Sequence, residues 1–454
     1  MNHSIINALN LKEEEIDSIE SVSSFHNEDF LVTLKLKDHI CPNCGSLTRS
    51  IKDYKIRKLH MKIFIRFNSV VYYKRRRLKC EHCGKSFVEN HPFGSTRKSV
   101  APSTIISVLE ALKPYNSTFS SVASTYGLSV GTVIDIFDKH VQIPRKHLTD
   151  ILCWDEFYFN RRSRYKYAFI MMDFHKKVIL DILESRHVRH LSSYFYSIPL
   201  QERKAVKYII IDMYRNYRDI ASVYFPNAVV CIDPFHAAKR VNDALNTLRK
   251  RIMRRKKENG DMFSYSLLKN RYELLLKNRN ELEFEKKKKD MILGYSITER
   301  DLADLLLQMD SHLKTAYFLK ERFIRFNSSD RKRFTDRKTK EEELNRLFKD
   351  MLDSGIEEMK GCAGTLRSWK DEILNSFVWI DERRLSNGPI EGKNTYIKKI
   401  ISNANGFTNF ERARNKFLYS QNLYETYSIT EKEDKSQKKR RQKRHLQETQ
   451  ITLN

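Results

Sequence analysis

The spacing of apolar residues changes several times along the chain, and each change marks a different kind of structure. Residues 1–38 read as a short helix followed by one strand, the alternating run FLVTLKLK. Residues 39–95 hold a strand-like stretch, IFIRFNSVVYY, between two cysteine pairs. Residues 96–150 have helical spacing, broken by turn signals at Pro114-Tyr115-Asn116 and Gly127. From 151 the texture becomes β-branched and aromatic, in the runs DILCWDEFYF, YKYAFIMMDF, KVILDIL, VKYIIIDMY and NAVVCID. Amphipathic segments, HLSSYFYSI and RDIASVYF, separate the third, fourth and fifth of these runs. Strands joined through helices pair in parallel, so a mixed five-stranded sheet is expected. None of the nine prolines falls between Pro234 and Pro389, and that interval is Leu-, Lys-, Glu- and Arg-rich with helical periodicity. The end of the chain, 426–454, reads as a disordered basic tail.

Charge adds a partner to this picture. Lys and Arg number 84 against 57 Asp and Glu, a formal net charge of +27 over 454 residues. A surplus of that size fits a polyanion, and nucleic acid is the expected one. At 40% hydrophobic residues the chain has material for a large core. No apolar run approaches the ~18 residues a membrane span needs. The N-terminus turns acidic at once, so a cytoplasmic protein with no membrane partner is expected.

Four of the seven cysteines form two close pairs, Cys41-Pro-Asn-Cys44-Gly and Cys80-Glu-His-Cys83-Gly. Such pairs place two thiolates within reach of one ion, and four thiolates complete a tetrahedral Zn²⁺ site. With strands between the pairs, 39–95 reads as a zinc ribbon. His39, His60, His82 and His91 are substitute ligands that four cysteines do not need. Cys153, Cys231 and Cys362 stand alone and read as small buried apolar residues. Lys74, Arg75, Arg76 and Arg77 precede the second pair and are expected to contact phosphates, unless they are simply a solvated strand edge.

The segment Phe119–Phe137 has the spacing of a helix-turn-helix. Ala123 is small where helices would cross, Gly127 supplies a positive φ, Ser129 is a natural N-cap, and Val133 and Ile136 give the next helix a buried face. Thr132 and Ser129 are groove-facing candidates, with Arg145 and Lys146 flanking them. Asp135 and Asp138 on the second helix argue for weak base reading.

Three acids stand in suggestive places. Asp155 lies in the first strand of the mixed region, Asp212 closes the fourth, and Glu391 enters a helix after Gly388-Pro389. Carboxylates converging in this way repel one another unless divalent cations neutralise them, and a pair of such ions supports phosphoryl transfer. Spacing alone does not choose this trio, since Asp173, Asp181 and Asp233 also follow strand-like runs.

Taken in order, a four-cysteine ribbon, a helix-turn-helix, an early strand aspartate, Asp-Met-Tyr closing a later strand and Asn-x-x-x-Glu-Gly-x-Asn resemble the transposases of the bacterial ISL-three insertion-sequence family. The likeness covers roughly 1–425 and is most specific at 41–83, 154–159, 208–217 and 387–410. It implies an RNase H-like α/β core, 151–242 with 371–425, interrupted by an all-α insertion at 243–370, behind 1–38, the ribbon at 39–95 and the helix-turn-helix at 96–150. It places an Asp-Asp-Glu triad on Asp155, Asp212 and Glu391, holding two Mg²⁺ or Mn²⁺ ions. Asp233-Pro-Phe-His236 matches a Cys/Asp-x-x-His element, which gives Asp233 and His236 a supporting place near the site. The implied activity is hydrolysis at the terminal inverted repeats and strand transfer into target DNA, with a homodimer at synapsis. A catalytically inert DNA-binding regulator and an RNA-acting nuclease are the competing readings. The regulator needs no triad, and the nuclease needs no end-specific module.

Overall fold

Two strands lie between residues 16 and 34, where the sequence pattern offers one. In the computed structural model, β1 (Ile16–Ser24) pairs antiparallel with β2 (Asn27–Leu34). The apolar residues of β1, Ile16, Ile19 and Val22, are three apart, which is a helical rather than a strand period, and a register shift near Ser18 accompanies that spacing. The structure describes residues 6, 9 and 11–421, except 25–26, 62–68, 90–92, 94–99, 162, 329–335 and 381. The expected basic tail, His91 and most of the IFIRFNS stretch lie outside the described residues.

The described residues form two units, those within 1–144 with 396–421, and those within 145–395. In the first, β3 (His39–Ile40) and β4 (Leu47–Thr48) flank the first cysteine pair. β5 (Ile51–His60), β6 (Val70–Lys79) and β7 (Ser86–Val88) complete a sheet in the order β1-β2-β6-β5, with β7 also pairing β6. Phe30, Val32, Leu59, Val71 and Tyr73 form its core. Then come α1 (Pro102–Leu112), α2 (Phe119–Tyr126) and α3 (Val130–His140). The helix Phe410–Gln421 returns to this unit. Its Lys416 is buried, and Nζ donates to the carbonyls of Leu112 and Pro114 and to the hydroxyls of Ser117 and Ser420. That helix therefore satisfies the open C-terminal end of α1.

In the second unit the strands are β8 (Ile151–Tyr158), β9 (Tyr167–Asp173), β10 (Ile179–Leu183), β11 (Tyr208–Ile211) and β12 (Val229–Ile232), in the order β10-β9-β8-β11-β12. Short turns make β8, β9 and β10 an antiparallel meander. α4 (Val188–Ser197) leads to β11, and α5 (Arg215–Tyr224) links β11 to β12, so β11 runs parallel to both β8 and β12. This is a mixed α/β sheet with the expected five strands. One face is aromatic. Trp154 is fully buried against Phe169, Phe195, Tyr217 and Phe225.

The helical region is not a separate body. α6 (Pro234–Glu258) runs straight across the expected 242/243 boundary. Its Val241, Leu245 and Leu248 share one apolar core with the sheet and with Leu306, Phe323, Leu347 and Leu366 of later helices. Nor is the region wholly helical, since Lys288–Lys289 pairs with Ser296–Ile297. α7 (Lys370–Asn375) brings the chain back to the sheet, where Asn375 Nδ2 donates to the Val230 carbonyl at 2.9 Å. The described part of the 371–425 segment is thus divided: residues to 395 join the sheet and 396–421 join the N-terminal unit, where Ala413, Phe417, Leu418 and Tyr419 are buried. Among the described residues no helix is long and apolar enough to cross a membrane.

Candidate active site and cysteine cluster

The cysteine pairs form two matching turns. Gly45 and Gly84 adopt φ of 74° and 69°, and their amides donate to the carbonyls of Cys41 and Cys80 at 3.0 and 2.9 Å. The four sulfurs lie within 4.8 Å of one another, with Cys41–Cys83 at 3.6 Å and Cys44–Cys80 at 3.5 Å. Those separations are too long for disulfides. They approach the ~3.8 Å edge of a tetrahedron with Zn–S bonds of ~2.3 Å. The four thiols thus fit a structural zinc ion without substitute ligands. The lone cysteines, Cys153, Cys231 and Cys362, are all buried.

The basic run beside the second pair corrects one expectation. β6 has strands on both sides, so it is not a sheet edge. Arg75 and Arg76 are buried. Arg75 donates to the Glu89 carbonyl, and Arg76 pairs with the Glu89 carboxylate and reaches the Leu34 carbonyl. Both guanidiniums are committed to holding the sheet together, which leaves them unsuited to phosphate. Lys74 and Arg77 flank this pair and are half-buried, Lys74 over the Tyr54 ring and Arg77 paired with Asp53.

In the helical pair, Gly127 caps α2 at φ 61°, and the Ser129 hydroxyl accepts from the Thr132 amide at 3.1 Å. Thr132 Oγ1 is itself bonded to Ser129 Oγ at 2.8 Å, so Ser129 caps α3 and Thr132 is tied to that cap. Asp138, a residue that argued against base reading, is paired with Arg412. Arg145 is held by Glu202 at 2.5 Å, and Lys146 is half-buried beside it.

Strand register brings the acids together. Ile210 of β11 pairs with Cys153 of β8, so Asp212 and Asp155, each two residues further on, are level across the parallel ladder. Ile211 pairs with Ile232 of β12, which puts Asp233 level with Asp212. Three aspartates therefore form one row over three neighbouring strands. Asp173 and Asp181 take no part. Asp173 accepts the amides of its own turn, and Asp181 accepts the Tyr194 hydroxyl.

Glu391 lies in the exposed first turn of α8 (Gly388–Asn403). Two asparagines from the same signature fix that helix start. Asn387 Nδ2 donates to the Trp154 carbonyl at 2.9 Å, and its amide donates to Asp233 Oδ1 at 3.2 Å. Asn394 Nδ2 donates to Asp155 Oδ2 at 2.7 Å.

The row is electrostatically unfavourable as it stands. Burial pushes Asp155 up to about 7, and the charges of Asp212, Glu156 and Glu391 push the same way. Burial and Glu156 raise Asp212 to about 6, against the Tyr214 amide, Arg186 and Arg240. Burial also raises Asp233, and it lowers His236. A cation among these carboxylates would remove the repulsion, so the chemistry of the donor set suits divalent ions. A cleft of about 190 Å³ borders the row, lined by Asp212, Met213, His236, Lys239, Arg240 and Asp243.

Sequence reasoning overlooked Glu156, which faces away from Asp155 along the strand. Arg186 pairs with it and the Tyr217 hydroxyl donates to it at 2.8 Å. Its adjacency to Asp155 in DE was the only signal. Asn387 and Asn394 are visible in the sequence only as part of a signature, although a buried side-chain amide needs partners and so points to a positioning task.

Comparison with known proteins agrees with this picture. A transposase family of the ISL3 type, with DDE chemistry in its designation, matches residues 152–417. The chain is 24% identical over 378 residues to the transposase for insertion sequence element IS1001 of Bordetella parapertussis, covering 82% of this chain and 86% of that protein. The match spans the mixed sheet, the helical region and the Glu391 helix, and with it the chain belongs to the ISL3 family of DDE transposases.

Proposed function

We propose that this protein is an active insertion-sequence transposase in which Asp155, Asp212 and Glu391 form the catalytic Asp-Asp-Glu set. The observation that carries the reading is the register of β8 and β11, which sets two half-buried aspartates level, with the charge of Glu391 acting on Asp155. The strand order, a three-stranded meander continued by two parallel strands, supports an RNase H-like core. These carboxylates would hold two Mg²⁺ or Mn²⁺ ions, which lower the pKa of a bound nucleophile and stabilise the leaving oxygen. Asn394 orients Asp155, and Asn387 fixes the helix that carries Glu391. Lys239 and Arg240, lining the adjoining cleft, are placed to draw a phosphodiester toward the acids.

In the first step water adds to phosphorus as the bond to the 3′ oxygen breaks, and the proton passes to that oxygen. In the second, the freed 3′-OH adds to a target phosphodiester and displaces its 3′ oxygen. The zinc-bound ribbon and the α2–α3 helix-turn-helix would hold the terminal inverted repeats, with Lys74, Arg77 and the exposed face of α3 as contacts. Two protomers would bring the two ends together.

The test is incubation of the purified chain with Mn²⁺ and DNA carrying the repeats that flank its own gene. Nicks should map to the element's ends and vanish with Asp155→Ala. Equal nicking by that variant would defeat the proposal. Specific binding without any nicking would favour the inert regulator.

A further inference from the structure

The catalytic triad leaves one buried carboxylate oxygen unexplained. Asp233 is 2% exposed. Its Oδ1 accepts the Asn387 amide, whereas Oδ2 is buried with no hydrogen-bond partner. Such an oxygen is costly unless something cationic meets it. Arg384, whose charge reaches Asp233, directs its donors to the Ser376 hydroxyl and to the carbonyls of Ser376 and Asn327. The nearby imidazole does not supply a hydrogen bond either, since His236 Nε2 stands 3.8 Å from Oδ2.

That gap is the size an ion would occupy. Asp233, His236 and Glu391 each place one ligand atom within 4.8 Å of the other two. Asp233 follows β12 as the residue that opens α6, and His236 lies in the first turn of that helix, whose first position is the rigid Pro234. Asn387 holds Asp233 through its amide and β8 through its side chain, which is the outer-shell support that metal ligands characteristically have. Glu391 is exposed and free to turn toward either neighbour.

We propose that Asp233, His236 and Glu391 form a transition-metal position distinct from the Asp155–Asp212 pair, with Glu391 shared between the two. The inference rests on the active-site reading only in giving Glu391 that double duty. One imidazole nitrogen with two carboxylates suits Mn²⁺, Fe²⁺ or Zn²⁺. It suits Mg²⁺ poorly, because that ion prefers oxygen and water. The site therefore gives this transposase a reason to discriminate between Mn²⁺ and Mg²⁺.

Mn²⁺ titration of the full, zinc-loaded chain, followed by electron paramagnetic resonance, tests this. Bound Mn²⁺ should show hyperfine coupling to ¹⁴N in pulsed spectra. His236→Ala and His236→Gln should each abolish the coupling and weaken one Mn²⁺ at least about tenfold, the loss that even an outer-shell partner brings. The Asp155→Asn, Asp212→Asn double variant should keep it. No nitrogen coupling in the wild type, or coupling that survives both His236 variants, would overturn the inference. If coupling is absent while the double variant fails to cut end DNA, the triad stands and only this inference falls. If the double variant still cuts, the triad reading fails whatever the spectra show.

Discussion

Replacing Asp155 by asparagine should stabilise the metal-free protein, by an amount that grows from acid to neutral pH. Burial and three neighbouring acids raise this carboxyl from 3.8 to about 7. Between those values the folded chain keeps a proton that the unfolded chain has released. Stability therefore falls as pH rises through this window and levels off above it. A shift of about three units at about 1.4 kcal/mol each gives an upper bound of ~4 kcal/mol. Partial access of the carboxyl to water reduces this to about 2 kcal/mol. An asparagine cannot ionise, and its amide oxygen can still accept from Asn394. In a unit of this size, 2 kcal/mol corresponds to roughly 4–8 °C in Tm. The assay is thermal unfolding of wild type and Asp155→Asn at pH 5 and pH 8, with ribbon zinc retained and no other divalent ion. The variant should melt higher at pH 8, and its advantage at pH 5 should be less than half as large. Added Mn²⁺ should raise the wild type at pH 8 by more than the variant, which keeps only the Asp233–His236–Glu391 position. A variant no more stable than wild type at pH 8, or one with the same advantage at both pH values, would refute the electrostatic account of the row.

Other perturbations separate structure from recognition. Arg76→Ala should destabilise the N-terminal unit by about 3–5 kcal/mol, because it strands the Glu89 carboxylate in a buried place; Lys74→Ala should leave melting unchanged and lower DNA affinity, read in a salt titration. Cys80→Ser should abolish zinc retention and end-specific binding, while circular dichroism of the sheet unit persists. Ser129→Ala removes the cap of α3 and should cost about 1 kcal/mol in denaturant melts. Lys416→Met leaves the Leu112 and Pro114 carbonyls without their donor, and a loss of about 1–3 kcal/mol is expected.

Much of this arrangement is written locally. The cysteine pairs announce themselves because metal ligation needs fixed short spacings. The α2–α3 turn does so because a positive φ at Gly127 and a cap at Ser129 are local demands. The five strands are legible because burial on both faces favours continuous β-branched and aromatic runs. β1 was not, because its apolar residues fall three apart and tertiary pairing overrides that spacing. The burial of Arg75 and Arg76 was hidden for a related reason. Four consecutive basic residues look like a solvated run until a third strand and Glu89 enclose two of them.

The sequence by itself determined the kinds of local structure, the thiol cluster and the candidate acids, since each depends on neighbours a few residues away. Only the tertiary structure decided which aspartates share a row. That follows from the register of β8, β11 and β12, and register comes from the packing of whole strands. It also decided that the helical region shares the sheet's core and that the last helix completes the N-terminal unit. Those outcomes depend on which apolar faces meet across hundreds of residues, and no window of sequence contains both faces.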